Sequence, residues 1–430
     1  MTANRRAAQL LAASCTALSG AIAQHMPSGP YREFVTWAFS PRNPRQQEFL
    51  RLCGLTQLVS MNTSILSGLV SEDAWPIMLR QAGLMNAYQV LEVISDNLAM
   101  GLGEVTLDET AQQRRLLVSS VNRAMTEALL PGRQTPAVLL LAGHAKQAAQ
   151  FASGFDQSLA AAKHAGAADE YTAALQSAGK AVPAREELEF GLWSALVAGV
   201  EVCRELSAAM TGTATATLVR QGLADRYQGV DRTLYAAHLS RLELAAVGAQ
   251  TILVTPTVGF YLAVLYEQIE TTSGYADIVA DGTLGEVLAD ASLLVRLQND
   301  LGTALLRMTP VQQAARLREL PGEVVQALKD TEDPLFDRLH KDALNGETNV
   351  ALWHARRSVS TAAAWRALAD SLAYYSALYV QHRERLMNNL PELETRLGDK
   401  RASTLIERFV MFHEQMYAKR HTETAGEYAI

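Results

Sequence analysis

"LLVRLQNDLGTALLRM", residues 293–308, reads as a helix that carries oxygen atoms on one face. Asn299 and Thr303 are four residues apart and so share that face, with Asp300 beside them. The arrangement looks like an ion site that stops before its last ligand. One turn further on, where a carboxylate would complete it, the chain has Arg307. The missing acid has to come from elsewhere, or the site is broken.

The same helical signature runs through the chain. Apolar residues recur at three- and four-residue spacing in "VVQALKDTEDPLFDRLH" (324–340) and "TLIERFVMFHEQMY" (404–417), and alternating β-branched runs are nearly absent. Turn signals such as "LLPGRQTP", "RMTP", "RELPG" and "LNGET" divide it into about twelve to fifteen helices of ordinary length. The fold class expected is all-α: one helical bundle in 101–430, with residues 1–100 as an N-terminal helical extension packed on it.

Composition narrows the function. The chain has 430 residues, 49% of them hydrophobic and 19% charged, which suits a large core and not disorder. A net charge of -7 without a basic stripe excludes a protein built to coat nucleic acid. Cys15, Cys53 and Cys203 form no CxxC pair, as expected in a reducing, cytoplasmic setting. The start "MTANRRAAQLLAASCTALSGAIAQ" imitates a signal peptide, but Gln9, Ser14 and Thr16 interrupt its apolar part, as in an alanine-rich first helix. "TILVTPTVGFYLAVLY" (251–266) is short for a membrane span and reads as a buried, kinked helix, so no span is expected. Glu-x-x-His, the carboxylate–histidine pair of di-iron bundles, is absent; Asp337–His340 in "FDRLH" comes nearest.

The next segment able to supply the missing acid is "KDALNGETNV", residues 341–350. Together the two pieces resemble the magnesium motif N-D-x-x-S/T-x-x-K-E-x-x-x-G-D/E-x-x-N of class I terpene synthases. "NDLGT" matches the first half. Lys341, Asp342 and Gly346–Glu347 match the second, with Asn349 one residue early. Residues 304–340 intervene where the family has a pair, so the resemblance implies an insertion that returns to its starting point and lets Asp342 serve in place of Arg307. The site is then split and not broken.

Other correspondences cover roughly residues 150–425. "PAREELEFGLWSALVAGVEVCREL" (183–206) is similar to the family's proline-led helix, and "LYAAHLSRLELAAVGAQTIL" (234–253) to the helix with its diphosphate-sensing arginine, here Arg241. Pro256 and Gly259 in "VTPTVGFYL" match the helix break that exposes carbonyls beside the cation. Arg420–His421 stands where the family has an Arg-Tyr pair. The aspartate-rich motif is degenerate: Asp156 in "QFASGFDQSLAAAK" has the right distance, and Asp96 in "VISDNLAMGLGE" is the alternative with the better local flank.

The resemblance implies a terpene cyclase that ionises an allylic prenyl diphosphate, most often farnesyl diphosphate. Mg2+ would be held by Asn299, Thr303, Asp342 and Asp156, and the diphosphate bound by Arg241, Lys341 and Arg420. Phe155, Trp193, Phe260, Tyr261, Tyr374 and Tyr375 are the aromatic candidates for an apolar pocket, and a homodimer is the expected assembly where one forms. The alternatives are a non-catalytic helical protein on the same fold, a prenyl diphosphate-using transferase and a di-iron oxidase.

Overall fold

The computed structural model describes residues 3–152, 165–184, 187 and 191–419. Among them every regular element is helical and there is no strand, as an all-α chain requires. The helices are more numerous than expected because many are single turns or little more. The chain divides into two compact units: residues up to Leu98 with Gln113–Thr211, and Ala99–Gln112 with the residues from Gly212 onward. The chain crosses from one unit to the other at 98–99, 112–113 and 211–212.

In the first unit, α1 (Ala3–His25), α2 (Leu55–Ile65), α3 (Trp75–Leu98) and α4 (Leu192–Ala208) form the core, with α1 laid along α3. Leu10, Leu18 and Ile22 of α1 are fully buried, and Ser14 lies in the same stripe. Ser14 Oγ accepts a 2.9 Å bond from Asn86 Nδ2, and Asn62 Nδ2 donates to Asn86 Oδ1 at 2.7 Å. The polar interruptions that distinguished this segment from a signal peptide include a buried link between α1, α2 and α3.

The second unit is organised around α7. Its main helices are α5 (Ala216–Tyr235), α6 (Arg241–Thr251, continuing after a break as Val254–Ala263), α7 (Thr283–Leu301), α8 (Pro310–Leu317), α9 (Val324–Asp330), α10 (Asp337–Leu344), α11 (Thr361–Leu397) and α12 (Arg401–Met416). Both parts of α6, and α10, α11 and α12, pack on α7, which is buried around most of its circumference. Among the described residues no single helix is long and apolar enough to cross a membrane; one bent pair, Arg241–Thr251 with Val254–Ile269 (43°), passes together by length and composition.

The second part of α6 is buried, as expected of a kinked core helix, but the kink is not where Pro256 and Gly259 suggested. The break falls at Leu253, whose φ is +60°. Pro256 sits in the first turn that follows, where its missing N–H has no partner to lose.

Residues 304–340 form a helical excursion. Thr309 and Gln312 make a capping box at the start of α8, Glu323 caps α9, and α10 then comes back onto α7.

Candidate functional site

At the C-terminal end of α7 the two halves of the split motif meet. The Asn349 side-chain amide donates to the Asp300 backbone oxygen and to Asp342 Oδ2, both at 2.7 Å. One amide thus joins both halves. Asp300 Oδ2 accepts from the Val350 N–H at 2.8 Å and from Arg296, one turn earlier, at 2.8 and 3.1 Å. Arg338, three residues before Lys341, donates to the Asn299 backbone oxygen at 2.7 Å and to Asn299 Oδ1 at 2.6 Å. Lys341 Nζ lies between Asp342 (3.4 Å) and Glu347 (3.1 Å).

Residues 101–104 close one side. The N–H groups of Gly101 and Gly103 donate to the carbonyls of Asn345 and Gly346, each at 2.9 Å. Side chains are excluded here: a Cβ on Gly103 would lie 2.5 Å from the Glu347 carbonyl carbon. Arg356 donates to the backbone oxygens of Asp342 and Glu347, fixing the turn from within.

Burial sets the electrostatics. Asp300 is fully buried, and loss of water raises its pKa from 3.8 to about 6. Arg296 opposes that rise and neighbouring Asp342 adds to it. For Lys341, burial works against the charged form, but Asp342 and Glu347 outweigh it and the ammonium is held above its ordinary range. Arg296 pairs with Asp300, and Lys341 with Asp342 and Glu347, so these buried charges have opposite neighbours.

Two expected ligands, Asn299 and Asp342, are brought together, and Lys341 stands with them. Thr303 is not with them. Asn299 and Thr303 do not share a helix face, because α7 ends at Leu301 and Gly302 (φ 81°, ψ 144°) turns the chain. Thr303 then starts a short helix of its own (Thr303–Leu306). It donates through Oγ1 to the Glu414 carbonyl at 2.7 Å and through N–H to that of Tyr417 at 3.3 Å. Arg307, the residue in place of the missing acid, pairs with Glu414 of α12.

Arg241 opens α6 and points to α11. It donates to Ser371 Oγ at 3.1 Å and lies 4.0 Å from Asp370. Glu243, two residues on, caps α6 with Ser240. Tyr375 links Arg241 to the cluster's surroundings, donating to the Arg241 carbonyl at 3.2 Å. Asp96 is exposed near the C-terminal end of α3. Asp156, Phe155, Arg420 and His421 lie outside the described residues. Phe260, Tyr261 and Tyr375 are core side chains, and Trp193, in the first unit, donates to the Leu141 carbonyl.

Comparison with known protein families, curated proteins and solved structures finds no match.

Magnesium takes six oxygens and keeps several of them as water. The cluster offers the right atom type but not the right availability. Asn299 Oδ1 is taken by Arg338, both Asp342 oxygens by Lys341 and Asn349, and Thr303 is turned toward α12. Among the described residues no group of three or more His, Cys, Asp or Glu is placed to hold a metal ion. As arranged, these residues do not fit magnesium; the Lys341 ammonium already stands between two carboxylates where a cation would go.

Sequence reasoning passed over Arg296, Arg338 and Arg356. Arg296 was within reach, as the i−4 neighbour of Asp300 in "RLQND". Arg338 and Arg356 carried no local signal.

Proposed function

We propose that the second unit handles an allylic prenyl diphosphate, farnesyl diphosphate first among them, and cyclises the carbocation left when diphosphate departs. The observation that carries this reading is the return of "KDALNGETNV" to the end of α7, with Asn349 bonded to Asp300 and Asp342 together. In this reading Lys341, Arg241 and Arg420 oppose the charge that grows on the leaving diphosphate, an interaction stronger in the transition state than in the ground state. Lys341 leaves Asp342 and Glu347 to do so, which makes substrate binding and rearrangement of that ion pair one event. Magnesium chemistry like the family's would need more than that: Asn299 released from Arg338, Asp342 from Lys341 and Asn349, and Thr303 from the Glu414 carbonyl.

A second reading is a non-catalytic helical protein on the same fold. The observation favouring it is that Asn299 Oδ1 and both carboxylates, Asp300 and Asp342, are already paired within the chain.

Incubation with geranyl, farnesyl and geranylgeranyl diphosphates, with and without magnesium, separates the two. The cyclase reading expects released diphosphate and an extractable hydrocarbon, both lost in Asn299→Ala and in Asp342→Ala. Diphosphate release with alkylation of an added acceptor marks a prenyl transferase. No release from any of the three substrates supports the non-catalytic reading.

A further inference from the structure

A concave site elsewhere in the same unit uses none of these residues. A cavity of 430 Å³ opens between α5, the break in α6, α7 and α11. Its walls include Gly222, Ala245, Ala249, Gly285 and Ala289, side chains too short to fill the space between four helices. The volume falls in the range of small-molecule sites. The break that borders it holds Leu253, the one non-glycine residue with positive φ among the described residues. Backbone strain of this kind concentrates at functional sites.

One end of the cavity is polar. Asp290 of α7 is fully buried and accepts from His382 Nδ1 at 2.7 Å and from Arg385 Nε at 2.7 and 2.9 Å, with a further Arg385 N–H on the same carboxylate. Asp290 therefore fixes the His382 imidazole and the Arg385 guanidinium in place. His382 and Arg385 line the cavity, and His382 Nε2 and Arg385 Nη1 make no protein hydrogen bond among the described residues. The other acids nearby are Asp225, which accepts from Gln221 at 2.7 Å, and exposed Glu286, one turn before Asp290 on α7.

We propose that this cavity binds an apolar molecule with one anionic oxygen group, its body against the short side chains and its head at His382 and Arg385. The head chemistry is shared by carboxylates and phosphate monoesters; both present oxygens to a guanidinium whose orientation is fixed beforehand. The proposal is independent of any prenyl diphosphate activity.

The test is calorimetric titration of the full chain with decanoate, decyl phosphate and decanol, each below its aggregation limit. The expected result is saturable binding of at least one anion about tenfold or more tighter than decanol, the tighter of the two anions naming the head group. Arg385→Gln should weaken the anion about tenfold and leave decanol unchanged. Because that change strips a partner from buried Asp290, Ala289→Phe serves as the second variant: it fills the cavity from an exposed position and should abolish binding of all three ligands. Equal affinity for decanol, no saturable binding, or an unaltered anion affinity in Ala289→Phe would overturn the proposal.

Discussion

Asp300 shows how a single side chain registers its surroundings. With its folded-state pKa pushed up to about 6 from 3.8, the native chain binds this proton more readily than the unfolded chain does. A group raised in this way contributes stability at low pH that is lost as pH rises through the folded value. Between pH 7 and pH 5 Asp300 should therefore add about 1 kcal/mol of stability, against the acid-labile trend of other carboxylates. Asp300→Asn removes the contribution, so wild type minus variant in denaturant unfolding should grow by about that amount at pH 5. An unchanged difference would mean that Arg296 keeps Asp300 ionised throughout. The Arg296–Asp300 pair was legible as an i, i+4 spacing. The burial that raises the pKa was not, because it depends on "KDALNGETNV" closing over α7 from 49 or so residues away, where only the order of motif residues hinted at contact.

At the scale of elements, the points that mattered were the ends of helices. The Gly in "NDLGT" stops α7, and by doing so sends Thr303 to α12 and leaves Asn299 at the cluster. A glycine just past a run of periodic residues is a stop signal, so this correction lay within reach of the sequence. Leu253 was not within reach: leucine disfavours positive φ, and Pro256 and Gly259 drew attention downstream of the actual break. Gly302→Ala should destabilise the second unit by about 1–2 kcal/mol, since alanine at φ 81° meets both the left-handed penalty and the Arg338 side chain at 3.3 Å. Thermal unfolding reads this directly, and an unchanged midpoint would mean the turn relaxes to another conformation. Arg241 followed the same pattern. Its position at the start of α6 was visible, whereas its partner Ser371, 130 residues on, was not.

For the whole molecule, helical periodicity carried the fold class, because 3.6-residue spacing is a local property. Far-ultraviolet circular dichroism should be helix-dominated; a strand content above about a quarter contradicts the all-α account. The division into two units was not legible, since residues 99–112 join the second unit while the chain around them belongs to the first. The return of residues 304–340 was anticipated only because the motif halves occur in order. That return is the central claim, and the Asn299–Arg338 bond tests it most directly: it spans 2.6 Å between a side chain of the first half and one at the end of the excursion, three residues before the second half. A double-mutant cycle of Asn299→Ala and Arg338→Met, read by denaturant unfolding, should give a coupling energy of about 1 kcal/mol or more. Additivity of the two changes within about 0.3 kcal/mol would contradict it and leave the two halves of the motif apart.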